Sequence, residues 1–141
     1  MADTVTTRWV YPPDWDGYYP DNSKGHRRYM VNLSCISDGT GETDVRKVVL
    51  ADFLNEKGET GTRFVIEKID CVGSGFAYVL LEFDRTPDET IAVLGETVSI
   101  DFTRTGGLVD NGDGGTGDIL LTSSGASSGD SYNIGIQFRV K

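Results

Sequence analysis

The residues whose chemistry is easiest to recognise lie between Asp110 and Asp118, where three carboxylates stand on glycine-rich backbone. Hard cations such as Ca²⁺ prefer oxygen ligands on flexible turns. The spacing differs from that of an EF-hand, because no Gly at the sixth loop position is followed by Glu at the twelfth. The alternative is a solvated loop in which Gly, Asn and Asp supply left-handed backbone conformations. The pattern favours the solvated loop, and we expect no metal and no other cofactor.

The cysteine and histidine content does not form a metal-ligand set. Cys35 and Cys71 are far apart in sequence, and each lies within an apolar stretch. The single histidine, His26, stands beside Arg27 and Arg28. A protein made in the cytosol with one pair of cysteines usually keeps the pair reduced. The sequence therefore predicts two buried free thiols rather than a disulfide.

Candidate nucleophiles lack a recognisable base. Gly73-Ser74-Gly75 does not have the flanking pattern of a nucleophile elbow, and His26 has no marked partner. A pair of carboxylates for glycoside hydrolysis stays open, because 22 acidic side chains offer many pairs that only geometry could sort. We expect no catalytic residue and no enzyme.

The charge balance excludes several classes of partner. With a net charge of -9 and a pI near 4.4, the chain lacks the basic surface that a binder of phosphate backbones needs. Neither nucleic acid nor an anionic membrane is an expected partner. No apolar run approaches the roughly 18 residues of a membrane span, and the start at Met1 lacks the regions of a signal peptide. We expect synthesis in a cytoplasm.

Residues 1–25 differ in composition from the rest of the chain. Prolines at this density favour an extended path, and the aromatic side chains need apolar surface to lie against. The sequence predicts an adhesive N-terminal arm, which either packs on its own domain or docks on a neighbouring subunit. Two basic runs, His26–Arg28 and Arg46-Lys47, either meet an acidic partner surface or are ordinary surface charge. The predicted partner-binding residues are Trp9, Tyr11, Pro12, Pro13, Trp15, Tyr18, Tyr19, Arg27 and Arg28.

Residues 26–141 are expected to form one all-β domain. The chain holds 18 glycines, and its apolar residues alternate at period two, most regularly from Tyr132 to Val140. About eight strands with turns every 8 to 12 residues predict a sandwich or a small barrel. The segments 29–37 and 45–50 are predicted to pair as one hairpin, and 63–71 and 76–83 as another. One helical turn is expected at 52–55.

In its pattern of turn and strand residues, the C-terminal part resembles small acidic β proteins encoded among the virion genes of tailed bacteriophages, including marine and cyanobacterial phages. The resemblance covers about residues 43–141, and the arm lies outside it. It rests on four segments, which are Asp101-Phe102-Thr103 leading to Gly106-Gly107-Leu108, then Gly117–Thr122, Gly129–Ile134 and the basic end Arg139-Val140-Lys141.

This resemblance implies a virion structural protein, in particular a decoration or cement protein on the outer surface of the phage head. Its expected partner is the major capsid protein, and such proteins also self-associate, often as trimers. The sequence is compatible, because a cement protein needs a stable β body, no active site and an adhesive arm or edge. Two alternatives stay open. One is a carbohydrate- or receptor-binding module of a tail or fibre, and the other is a neck or tail completion protein.

Overall fold

The computed structural model describes residues 4–11, 28–55 and 57–141. Their regular secondary structure is almost entirely β-strand, which confirms the predicted all-β class. Within them the strands in chain order are β1 (Thr4–Tyr11), β2 (Tyr29–Asp38), β3 (Val45–Val48), β4 (Phe64–Ser74), β5 (Tyr78–Phe83), β6 (Glu89–Leu94), β7 (Thr97–Asp101), β8 (Leu108–Val109), β9 (Ile119–Ser124) and β10 (Ser128–Val140).

The strands form two antiparallel sheets, consistent with a sandwich. The larger sheet has the order β1-β2-β10-β4-β7, with the short β8 also paired to β4. The smaller sheet has the order β3-β9-β5-β6.

The core follows from the alternation that the sequence predicts. In β2, Val31 and Leu33 are fully buried, whereas Ile36 on the opposite face is 61% exposed. Side chains two residues apart share one face of a strand, so each strand sends one set inward. The set predicted for the last strand is buried throughout, and its members are Tyr132, Ile134, Ile136, Phe138 and Val140.

An aromatic cluster fills one end of the sandwich. Phe53 stands between the strands and contacts Tyr29, Phe64 and Phe138, with ring centroids 4.9 to 6.0 Å apart. The Tyr29 hydroxyl donates a hydrogen bond to the Leu54 carbonyl at 2.8 Å. Edge-on pairs of this kind contribute about 0.5–1.5 kcal/mol beyond their buried area. The segment 50–55 is therefore held by packing, and its helical part is a single 3-10 turn at Leu50–Asp52 rather than at 52–55.

Both predicted hairpins are wrong. β2 belongs to the larger sheet and β3 to the smaller one, and β4 and β5 are divided in the same way. The glycine-rich segments between them cross from one sheet to the other. A short turn serves either connection equally well, so the local sequence cannot separate a hairpin from a crossing. At Gly75 the backbone has a φ of 94°, and an added Cβ would lie 2.0 Å from an Asp130 carboxylate oxygen.

Candidate functional site

The predicted partner-binding residues fall into two groups. Trp9 and Tyr11 lie in β1, and Arg28 directly precedes β2. The others lie outside the described residues, and they are Pro12, Pro13, Trp15, Tyr18, Tyr19 and Arg27. Within the part of the predicted arm that the structure describes, Thr4–Tyr11 is extended and pairs with β2 of the same chain.

β1 is an edge strand whose described side chains are exposed. Val5 pairs with Cys35, and Thr7 pairs with Leu33. Residues directly opposite each other share a face of the sheet, so Val5 and Thr7 lie on the core side. Val5 is nevertheless 44% exposed, and Thr7 is exposed as well. The described side chains of β1 therefore add no burial in the core, and its backbone ladder with β2 attaches this part of the strand.

Arg28 fixes the point where the chain returns to the sheet. Its Nε donates to Glu67 Oε1 at 3.1 Å, and its own side chain is 53% exposed while that of Glu67 is 8% exposed. Gln137 Nε2 donates to the same Glu67 oxygen at 3.4 Å. Of the predicted basic residues, Arg28 therefore has a structural role at the base of the arm.

The outer face of the larger sheet carries a shallow cleft of about 500 Å³. Its floor is β10, where Ser131 and Asn133 are short, and its walls include the exposed Ile36 and Val72. Asn133 Oδ1 accepts a hydrogen bond from Asn32 Nδ2 at 2.7 Å. The volume lies in the range of about 300–1,000 Å³ found for small-molecule pockets. The described lining combines hydroxyl, amide and small apolar groups.

The glycine-rich loop at Asp110–Asp118 is held by a buried ion pair. Arg85 Nε donates to Asp110 Oδ1 at 2.7 Å, and Nη2 donates to Oδ2 of the same carboxylate. A third nitrogen, Nη1, donates to the Gly114 carbonyl at 2.7 Å. The side chains are 6% and 0% exposed. The hydrogen bonds to Asp110 raise the pKa of Arg85. One arginine thus joins the 84–88 segment to the glycine-rich loop.

A second arginine holds the other end of this loop. Arg46 Nε lies 2.8 Å from Asp118 Oδ2, and Arg46 Nη2 donates to Asp84 Oδ2 at 2.9 Å. Asp118 Oδ1 also accepts the backbone N–H of Leu50 at 2.8 Å. A hydrogen bond from the Thr116 hydroxyl is the main cause that lowers the pKa of Asp84. The sequence offers Asp110 and Asp118 as candidate calcium ligands. In the structure their carboxylates instead accept hydrogen bonds from guanidinium and backbone N–H groups, which anchor the loop.

Lys47 is also occupied within the chain. It forms an ion pair with Glu42, and the two side chains are 5% and 7% exposed. The Tyr132 hydroxyl donates to Glu42 Oε1 at 2.6 Å. Lys47 is therefore not ordinary surface charge, because its side chain is buried against Glu42, whereas Arg46 is half-exposed and has its carboxylate partners within the chain.

Three carboxylates approach each other on the smaller sheet. Asp44, Glu82 and Asp88 place carboxylate oxygens within 4.8 Å of one another. Burial, followed by the charges of Asp88 and Asp44, raises the pKa of Glu82. An all-oxygen set suits a hard cation. No other observation among the described residues points to a ligand there.

The ion pairs Arg85–Asp110 and Lys47–Glu42 were not predicted from the sequence. Arg85 and Glu42 look like ordinary loop residues, and no spacing rule joins Arg85 to Asp110. The prediction for the cysteines is confirmed, because Cys35 and Cys71 are buried and form no disulfide. They lie on β2 and β4, which flank β10, so two strand spacings of roughly 4.8 Å separate them and a disulfide is out of reach.

Comparison with known proteins provides no relative. No protein-family model matches the chain, and no curated protein and no solved structure matches it. Across residues 4–11, 28–55 and 57–141, no helix has the length and apolar character needed to cross a membrane.

Proposed function

We propose that this protein is a bacteriophage capsid decoration protein, a cement protein that binds the outer surface of the head and stabilises contacts between major capsid subunits. The observation that supports this most is the arrangement at β1, where an exposed edge strand continues into an aromatic and proline-rich segment. The resemblance of residues 43–141 to virion β proteins agrees with it. The proposal assigns the chain no catalytic step.

The physical requirements of cementing match the described parts. A rigid body is provided by the two sheets, whose loops are held by the Arg85–Asp110 and Lys47–Glu42 pairs. Adhesion comes from the arm, because aromatic side chains placed in pockets provide most of the energy of a protein interface. Binding to the assembled lattice and not to free subunits stabilises the shell by mass action. Many copies on one head then act together.

The test measures occupancy on heads of the phage that encodes the protein. Heads prepared without the protein are mixed with the wild-type chain or with the Trp15→Ala/Tyr18→Ala/Tyr19→Ala variant. Bound copies are counted by quantitative mass spectrometry against the major capsid protein. We expect a fixed ratio for the wild type and at least about a tenfold loss of affinity for the variant, since a single aromatic anchor is worth about 2 kcal/mol or more.

The matched control is Tyr78→Ala, which removes an aromatic ring that is 41% exposed on the smaller sheet. It should bind heads like the wild type. Full occupancy by the triple variant would show that the arm is not the adhesive element. A wild-type chain that never binds heads, or a virion with a dozen copies or fewer, would contradict head decoration. This design keeps β1, because deleting residues 1–25 would also remove an edge strand.

The cleft on the outer face favours a second candidate, a carbohydrate- or receptor-binding module of a tail or fibre. Hydroxyl and amide groups such as Ser34 and Asn133 could bind sugar hydroxyls beside Ile36 and Val72. Pull-down with host polysaccharide tests this function. Binding that is lost on Asn133→Ala would support the module over the cement protein, and no binding would leave the cleft without a glycan role.

A further inference from the structure

The described part of the chain has five strands at sheet edges, of which β8 is only two residues long, and β1 differs from the other four. β3 is four residues long, has a register shift and carries two cations. β6 also has a register shift and begins next to Asp88. β7 is five residues long and ends at Asp101. Short length, bulges and charge are the features that protect edges from pairing with another chain.

β1 lacks most of these protections. It is eight residues long, and apart from Arg8 every residue is β-branched or aromatic. Its register shift lies between Trp9 and Tyr11, near one end, so the stretch from Thr4 to Trp9 pairs regularly with β2. No strand of the described ranges pairs with the outer edge of β1, so the N–H and C=O groups that point away from β2 form a continuous template for a further strand.

The described side chains of β1 are exposed on both faces of the strand. Val5 and Thr7 lie on the core side of the larger sheet but are exposed, as are Thr6 and Arg8 on the outer face. A partner strand beside β1 would contact Val5 and Thr7 and reduce their exposure. A second copy of the chain supplies such a strand, because its own β1 has the same exposed side chains and the same unpaired backbone edge among the described residues.

We propose that β1 pairs antiparallel with β1 of a second copy of this chain, so that the two larger sheets become one continuous sheet with a two-fold axis. Such an interface is self-complementary and closes after two copies, in contrast to the three-fold clustering that the resemblance implies. This pairing uses the first part of the predicted arm, Thr4–Tyr11, and leaves residues 12–25, which carry Trp15, Tyr18 and Tyr19, for binding to the capsid.

Symmetry makes the pairing specific. A two-fold axis perpendicular to the sheet keeps each face on its own side, and opposite residues must share a face. Residue numbers that pair across the axis therefore differ by an even number, because residues on one face of a strand are two apart. The midpoint between them is then itself a residue of β1, which lies on the axis and pairs with the same residue of the second copy. A single cysteine at that position will cross-link two copies, while its neighbours will not. The native Cys35 and Cys71 are buried and do not compete.

The first experiment is sedimentation velocity of the full chain from about 1 to 100 µM, a range suited to an interface smaller than those of permanent complexes. We expect a monomer–dimer equilibrium. Val5→Lys/Thr7→Lys places two charges on the paired face of each copy and should weaken dimerisation at least tenfold. The matched control is Thr97→Lys/Ser99→Lys, which adds the same charge at exposed positions of β7, the opposite edge of the same sheet.

The second experiment keeps the inference testable if the lysine variant detaches β1. If the two copies of β1 pair along most of their length, the axis lies near the middle of the strand, so single cysteines at Val5, Thr6, Thr7 and Arg8 are oxidised. Interchain disulfides should peak at one of these positions and fall at its neighbours. A chain that stays monomeric to 100 µM overturns the inference. So does a trimer, a dimer that survives Val5→Lys/Thr7→Lys, a dimer lost equally in the β7 control, or cross-linking at none of the four positions.

Discussion

The buried pair Arg85–Asp110 provides the sharpest test of how the glycine-rich loop is held. Replacing Asp110 with Asn keeps the shape of the side chain and removes its charge. Arg85 then keeps a buried positive charge beside an amide, because its side chain is only 6% exposed. In the wild type, Arg85 Nε and the Gly112 backbone N–H both donate to the Asp110 carboxylate. In the variant, the amide retains only one oxygen to accept hydrogen bonds from these donors.

The expected cost follows from this geometry. Removing one member of a buried ion pair costs about 3–5 kcal/mol, since the remaining charge is desolvated without compensation. Arg85 keeps its bond to the Gly114 carbonyl, so we take the lower end, about 3 kcal/mol. For a chain of this size that corresponds to a loss of roughly 10 °C in Tm.

Urea denaturation followed by intrinsic fluorescence measures the free energy of unfolding of both proteins. The control is Asp113→Asn in the same loop, where the carboxylate is exposed and a change below about 0.5 kcal/mol is expected. If Asp110→Asn unfolds within 0.5 kcal/mol of the wild type, the ion pair does not hold the loop and the reasoning fails.

Three further predictions concern buried or crowded groups. Glu82→Gln should raise stability at pH 7, since the raised pKa of Glu82 means that its ionisation opposes folding. That gain should vanish below about pH 4, where the carboxyl is protonated in both states, and a pH series of urea melts measures it. Tyr132→Phe should cost about 1.5–3 kcal/mol, because the buried Glu42 carboxylate loses a donor; an unchanged urea midpoint would contradict this. Burial raises the pKa of Cys71, so its reaction with a thiol reagent at pH 8 should be far slower in the native protein than in urea; equal rates would contradict the buried position.

Much of the fold class could be read from the chain, because period-two alternation is a local property. The buried face of β10 follows from residues 132–140 alone, and each thiol was placed inside by its apolar neighbours. Strand pairing is not local. The turn glycines near 39 and 75 are compatible with a hairpin or with a crossing between sheets, and only the packing of both sheets against one core separates these choices.

The candidate site divides in the same way. Composition by itself determined that residues 1–25 are aromatic and proline-rich, which predicts an adhesive arm, and that the net charge is -9, which predicts no binding of nucleic acid. The tertiary structure decided that Thr4–Tyr11 is an edge strand whose described side chains are exposed, and that Arg85 and Asp110 meet. Exposure and ion pairing depend on which distant strands lie side by side, and that is set by the burial of the whole apolar set rather than by any single segment.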